Sequence, residues 1–343
     1  MKKFLIALIF LLAILFLFSR FTEVTEMVDI LQRAQPEYLA LALAAEGLWL
    51  LNVGLAYRAN YRLLDIHEPL GRMICISTAA NSFVGIIAPS GGMSALAVFL
   101  SEAKRKGHSS ARITVACLLY LLFDYIGLLG AVILGLLVLV RRNKLDWAEI
   151  TAASILALVA LVILMVLYVG FKRPERLGNA LAWLAKKANW LASKFKRKDR
   201  LEVEEAYSFA EDISAGVAVL RANPRRLLIP VVLGITNKGL LITVLLMLFF
   251  AFGVPVSGGT VIGGFALGYL FTIVSITPSG IGMMEGAMTL FLRSLGVNLE
   301  EAAILTLGFR AITFWLPFFM GMATFRFLSR QNITAQENPP AEK

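Results

Sequence analysis

Thr277-Pro278-Ser279-Gly280-Ile281-Gly282-Met283-Met284-Glu285-Gly286 sets a proline, three glycines and a carboxylate between two apolar runs, 260–276 and 287–295. Each run is shorter than the roughly 20 residues a helix needs to cross a bilayer, so the pair reads as two half-helices. Irregular backbone at membrane depth is tolerated only where it is buried in protein or lines a wet cavity, and such a break marks a candidate binding site. A weaker copy lies upstream. There Phe83-Val84-Gly85-Ile86-Ile87-Ala88-Pro89-Ser90-Gly91-Gly92-Met93 repeats the apolar run, the Pro-Ser-Gly and the Gly-Met. Two matched broken segments in two halves of a chain are the sequence mark of a transporter built from internal repeats.

Working outward, 58% of the 343 residues are hydrophobic and 16% are charged, with a mean hydropathy of +0.76. Such a chain belongs mostly in lipid and leaves no stretch for a large soluble catalytic domain. Full-length spans are expected at about 4–19, 37–57, 113–140, 150–170, 227–252 and 301–325. The first follows Lys2 and Lys3 like a signal peptide but lacks a small-x-small cleavage site before Ser19-Arg20, so it is expected to be retained. The fold expected is all-α: a polytopic integral membrane protein of about six full transmembrane helices and two re-entrant helical hairpins, at about 72–103 and 259–296. Cys75 and Cys117 fall in separate apolar runs and read as small core residues.

Charge sets the expected sidedness. With a cytoplasmic N-terminus and re-entrant broken segments, most of the 33 Lys and Arg lie inside, among them Arg58, Arg62, Arg72, Lys104 to Lys106 and the block from Lys172 to Arg226. The positive-inside rule favours this threading, a multi-pass protein of the cell membrane with both termini cytoplasmic. Residues 1–140 and 150–328 then carry the same order of elements in opposite orientation, an inverted-topology repeat. The second repeat holds the cytoplasmic insertion 171–226, and the tail 329–343 is expected to be disordered. In the insertion, Trp183 and Trp190 accompany Arg173, Lys186, Lys187, Lys194, Lys196, Arg197 and Lys198, and this stretch carries most of the net +10. It reads either as an amphipathic helix on the anionic inner leaflet, at about 1 kcal/mol per basic residue, or as an ordinary positive-inside loop. Its place between membrane spans argues against nucleic acid as a partner.

An ionisable side chain at mid-membrane costs roughly 2.5 to 3.5 kcal/mol on insertion scales, so each one calls for a reason. Glu46 and Asp124 lie mid-helix in the first half, and Lys238 and Arg310 lie at corresponding depths in the second. They read as structural pairs, Glu46 with Arg310 or Asp124 with Lys238. Alternatively they form a polar cavity in which the bases meet a phosphate and the acids a cationic group. Glu285 falls three residues after Gly282, where it can bond back to the N–H of a helix cap. The rival reading is an anion site made by free N–H groups near Gly91-Gly92 and from Gly280 to Met283. The candidate substrate-binding residues are therefore Pro89, Ser90, Gly91, Gly92, Pro278, Ser279, Gly280, Gly282, Glu285, Arg310, Lys238, Asp124 and Glu46. Gly259, Gly263, Gly264 and Gly268 read as close helix packing. The sequence shows no metal-ligand pair, nucleophile elbow, Walker loop or dinucleotide fingerprint, and His67 and His108 sit in inner loops. No catalytic residue, metal or cofactor is expected, and this chain alone has no ATP-driven machinery.

Tyr61-Arg62-Leu63-Leu64, Pro89-Ser90-Gly91-Gly92, Asp124, Pro278-Ser279-Gly280-Ile281-Gly282 with Glu285, and Arg310-Ala311-Ile312-Thr313-Phe314-Trp315-Leu316-Pro317 together resemble the transmembrane region of lysylphosphatidylglycerol synthases and its stand-alone relatives. The resemblance implies a flippase-like region that moves a lipid to the outer leaflet, without the separate soluble aminoacyl-transfer domain. This chain departs from the family pattern at Met93-Ser94-Ala95 and Tyr120, where the family usually carries charge. The function expected is translocation of a polar lipid, a phospholipid or polyprenyl-linked species, without ATP hydrolysis. The rivals are a small-anion transporter and an intramembrane enzyme or accessory subunit acting on a lipid-linked sugar. Expected partners are membrane lipids, with either a second copy of the chain or a separate lipid-modifying enzyme beside it.

The threading is checked by cysteine accessibility in intact cells. Single cysteines replacing Arg72 and Lys106 are expected to react from the same face of the membrane, and labelling from opposite faces would refute the re-entrant reading.

Overall fold

The computed structural model describes residues 29–87, 92–142, 147–173, 175–176, 178–179, 182–183, 187, 224–275 and 278–337. All regular structure among them is helical. In chain order the elements are α1 (Pro36–Leu63), α2 (Leu70–Ala79), α3 (Gly92–Arg105), α4 (Ser110–Arg141), α5 (Trp147–Lys172), α6 (Leu228–Ala251), α7 (Gly258–Val274), α8 (Met283–Ser294), α9 (Leu299–Arg310) and α10 (Leu316–Glu337). The expected spans after the first coincide with α1, α4, α5, α6 and the α9–α10 pair. The span expected at 4–19 and most of the basic insertion lie outside the described residues. Among the described residues four helical stretches, Pro36–Leu63, Arg112–Arg141, Arg225–Ala251 and Leu299–Arg330, are long and apolar enough to cross a bilayer. Their outer faces carry Leu41, Leu48, Ile133, Leu137 and Ile229 in the open, as a lipid-facing perimeter requires.

Local chemistry sets the boundaries. Pro36 opens α1, where its missing N–H has no partner to lose. Ser109 accepts from the N–H of Arg112, Ser257 from that of Thr260, and Asn298 from that of Glu300, so α4, α7 and α9 each begin on a side-chain cap. Among the described residues two helices contain π-helical turns. α2 continues through one at Ala80–Val84, and another at Ala311–Trp315 joins α9 to α10.

The two broken segments are tied at their ends. Arg72 at the start of α2 donates to Glu102 near the end of α3 at 2.6 Å, and Lys106 reaches Glu68 at 2.6 Å. Arg105 and His108 add contacts to the same two carboxylates at 3.1 and 3.4 Å. These ties sit beside the first turn of α4. At its far end Arg142 donates to the carbonyl of Leu295 after α8, at 2.6 Å, and to the hydroxyl of Ser257 before α7, at 3.2 Å. The two helical hairpins therefore open at opposite ends of α4. Gly264 and Gly268 of α7 face Leu292 and Met288 of α8, the close packing expected of those glycines.

The interior is organised around α4 and α6, which pack on each other while α1 covers α6 and α7 covers α4. Their crossing is backbone against backbone. A Cβ added at Gly127 would sit 2.5 Å from the Gly234 carbonyl oxygen, and one at Gly234 would sit 2.6 Å from that of Phe123. Only glycine at both positions lets the helices come this near. Around the contact lie two apolar clusters, one built on Leu245, Phe265, Met288 and Phe309 and the other on Tyr57, Met73, Phe99 and Ile113.

Because backbone cannot yield as a side chain can, Gly234→Ala is expected to cost about 1 to 3 kcal/mol by overpacking. Gly239→Ala on the same helix meets nothing within 4 Å and is the control. Thermal unfolding in detergent should separate them, and equal melting temperatures would count against the close crossing.

Candidate functional site

Between α1, α2, α4, α6, α7 and the α9–α10 junction lies a cavity of about 240 Å³. Its polar lining brings together Asp124, Lys238, Ser279 and Arg310 from the candidate residues with Trp49, Ser77, Thr78, Asn81, Ser82, Tyr120, Asn237, Tyr269, Thr272 and Thr313. Ala80–Val84 and Ala311–Trp315, the two π-helical turns, both contribute to this lining.

Asp124 and Lys238 meet across the α4–α6 crossing. The Lys238 ammonium is 2.8 Å from one carboxylate oxygen and donates to the other at 2.9 Å, while Asn237 Nδ2 donates to the first at 2.7 Å. The Tyr269 ring lies 4.7 Å beneath the ammonium. A pair this deep offsets the cost of desolvating two charges only if its remaining hydrogen-bonding capacity is met, which Asn237 and Tyr269 help to do.

The second pair depends on the broken segment. After α7 the chain turns through a short 3₁₀ turn at Pro278–Gly280, with φ of +54° at Ser279, +71° at Gly280 and +83° at Gly282. Glycine suits the last two, and a Cβ at Gly280 would lie 2.7 Å from the Thr272 Cα. The turn starts α8 with Glu285 in its first turn, where one carboxylate oxygen accepts from the Gly282 N–H at 2.7 Å. The other accepts from Arg310 Nε at 2.6 Å. Glu285 is thus a cap and an ion-pair partner at once. Arg310 also donates to the Ser279 carbonyl at 3.4 Å and stacks on Phe314, its guanidinium carbon 4.1 Å from the ring centre.

The pairing Asp124 with Lys238 is present, whereas Arg310 pairs with Glu285 and not with Glu46. The reason is position: the turn at Ser279–Gly282 carries Glu285 to the end of α9, while Glu46 is enclosed on α1 and outside the cavity lining. Glu46 is fully buried, and neither of its oxygens has a hydrogen-bond partner among the described residues. Of the remaining candidates, Pro89, Ser90 and Gly91 lie outside the described residues, and Gly92 opens α3. In the basic insertion Lys187 lies over the Trp183 ring at 4.7 Å, and Lys186, Lys194, Lys196, Arg197 and Lys198 lie outside the described residues.

Sequence reasoning missed most of the uncharged lining. Ser77, Thr78, Asn81 and Ser82 recur at helical spacing along one arm, and Asn237 precedes a lysine in an otherwise apolar run, so the signal was there. Three lining atoms, Trp49 Nε1, Asn237 Oδ1 and Thr272 Oγ1, are buried without a hydrogen-bond partner among the described residues. A buried donor or acceptor left this way costs about 1 to 3 kcal/mol, which a polar ligand group or water in the cavity would relieve. Among the described residues no cluster of three His, Cys, Asp or Glu is placed to hold a metal ion.

Two comparisons bear on this site. The family model described as the lysylphosphatidylglycerol synthase TM region matches residues 4–321, so it includes every residue lining the cavity. A UPF0104 membrane protein of Methanothermobacter thermautotrophicus is 24% identical over 307 residues, covering 88% of this chain and 88% of that protein.

Removing one member of a buried ion pair strands the other. Lys238→Met is expected to cost about 3 kcal/mol of stability, and the double variant Asp124→Asn/Lys238→Met less than Lys238→Met alone. A melting-temperature cycle in detergent measures this, and additive losses would mean the pair is not coupled.

Proposed function

As this chain belongs to the family of the lysylphosphatidylglycerol synthase TM region, we propose that it translocates a polar, phosphate-bearing lipid between leaflets without ATP hydrolysis. The observation that carries the proposal is the 240 Å³ cavity with the Asp124–Lys238 pair and Arg310, whose carboxylate partner Glu285 lies behind it, along its wall. Sites for drug-sized ligands run to roughly 300–1,000 Å³, so this volume suits a headgroup whose acyl chains stay outside in lipid.

Each cation rests on its own carboxylate, which keeps isolated charge out of the interior. An arriving phosphate competes for Lys238 and for the Arg310 fork, whose paired donors match phosphate oxygens. A cationic group on the same headgroup takes up Asp124 and Glu285 as they are released. The two exchanges have different mechanical consequences. Opening Asp124–Lys238 loosens α4 from α6, whereas opening Glu285–Arg310 frees the turn that starts α8. A headgroup able to do both weakens the contacts that hold the two halves of the bundle in one arrangement, and this is the step alternating access requires. We place the end of α1 and the start of α6 on the cytoplasmic side, in keeping with the positive-inside count.

The test uses the full chain in proteoliposomes with acyl-labelled phospholipids and a quencher that cannot cross the membrane. Wild-type protein should equilibrate at least one such lipid, Arg310→Gln should abolish the movement at temperatures where the variant is still folded, although it strands Glu285 and melts lower, and Glu285→Gln should slow it at least tenfold. A Glu285→Gln variant at full speed would leave the carboxylate as a cap alone. If no phospholipid or polyprenyl phosphate moves while radiolabelled inorganic phosphate is taken up, the site serves a soluble anion and the lipid reading fails.

A further inference from the structure

A second cavity, of about 460 Å³, lies on the other side of α1. Trp49, Leu50 and Val53 face the central cavity, and at about 100° per residue Leu55, Arg58 and Arg62 come round to the opposite side of the same helix. Arg226, just before α6, meets them there, and Ile229 continues the wall along α6.

The chemistry of this cavity is divided along its length. At one end are three arginines from two chain segments that are far apart in sequence, facing a single lining carboxylate, Asp65. Arg58 is steadied from below by its Nε, which donates to the Glu68 carbonyl at 3.1 Å and leaves the rest of its fork free to turn outward. Among the described residues no carboxylate pairs with Arg62 or Arg226, and both side chains are exposed. At the other end the wall is apolar and open to the perimeter, with Ile229 63% and the adjoining Leu228 69% exposed. The arginines stand where α1 ends and α6 begins, and the apolar wall runs from there towards the middle of both spans. That is the order of parts in a membrane lipid: an anionic phosphate at the helix ends and a hydrocarbon chain beyond it.

We infer that this groove is a binding site for an anionic glycerophospholipid of the cytoplasmic leaflet, with the phosphate held by Arg58, Arg62 and Arg226 and an acyl chain lying along Leu55 and Ile229. Free phosphate satisfies only the first half of the groove. A zwitterionic lipid brings its own cation against three guanidinium groups and is disfavoured. The site is separate from the central cavity and stands whether or not that cavity carries a lipid.

The full chain is placed in phosphatidylcholine nanodiscs with a small fraction of phosphatidylglycerol bearing a photoreactive acyl chain, and crosslinked peptides are quantified by mass spectrometry. Crosslinks to peptides holding Leu55 or Ile229 are expected in the wild type and should fall at least tenfold in Arg62→Gln/Arg226→Gln. They should fall similarly in Ala59→Trp, which fills the groove while keeping all three arginines and so serves if the first variant does not fold. Arg310→Gln should leave them unchanged, which separates this site from the central one. Equal yield from photoreactive phosphatidylcholine, or full yield in both groove variants, would reduce the groove to ordinary lipid-facing surface. Displacement by excess inorganic phosphate would make it a soluble-anion site and overturn the inference as well.

Discussion

Hydrocarbon offers no hydrogen bond to anything placed in it, and this one constraint governs the arrangement of the chain. Among the described residues the lipid-facing backbone meets it by being helical. The break at Ser279–Gly282 meets it by being pressed onto α7, with Glu285 supplying an acceptor to the turn it follows. The ionisable side chains meet it by pairing, Asp124 with Lys238 and Glu285 with Arg310. Glu46 alone of the mid-span charges departs from the rule, buried with both oxygens unbonded among the described residues.

The same constraint keeps the charges of the central cavity in pairs. The paired groups have their donors and acceptors turned on each other, which suits exchange of partners with a charged guest. What the central cavity offers a ligand is a set of charged groups already held by partners, together with the atoms of Trp49, Asn237 and Thr272 that are unbonded among the described residues. Under the proposed translocation, selectivity comes from which headgroup can replace both ion pairs at once. Neither pair alone discriminates much between one phosphate and another.

Much of the architecture was legible because the physics that writes it is local. Runs of apolar residues gave the helices, Pro278, Gly280 and Gly282 gave the break, and the spacing of Glu285 from Gly282 gave its capping bond. Partner choice was harder. Glu46 and Arg310 sit at matching depths in the sequence, but depth does not say which way a side chain turns, and the folded-back turn brought a nearer acid to Arg310. The Ser77, Thr78, Asn81 and Ser82 stripe was hidden by the hydropathy of its neighbours, since averaging over a window conceals four small polar groups on one face. The ties of Arg72 to Glu102 and Arg142 to Leu295 join residues across loops, and no periodicity records them.

The π-helical turn at Ala311–Trp315 bears on how this sequence tolerates change. In a regular α-helix, deleting one residue rotates everything downstream by about 100° and carries the wrong faces into the core. A π-helical turn already holds one residue more than the α-helix it interrupts, so losing a residue there lets the helix close up while α10 keeps nearly the same faces towards α2. The cost falls instead on the cavity, because Thr313 and Phe314 are the residues that the bulge swings into it beside Arg310. Single-residue length variation among relatives at this point would therefore leave the bundle intact and reshape the cavity.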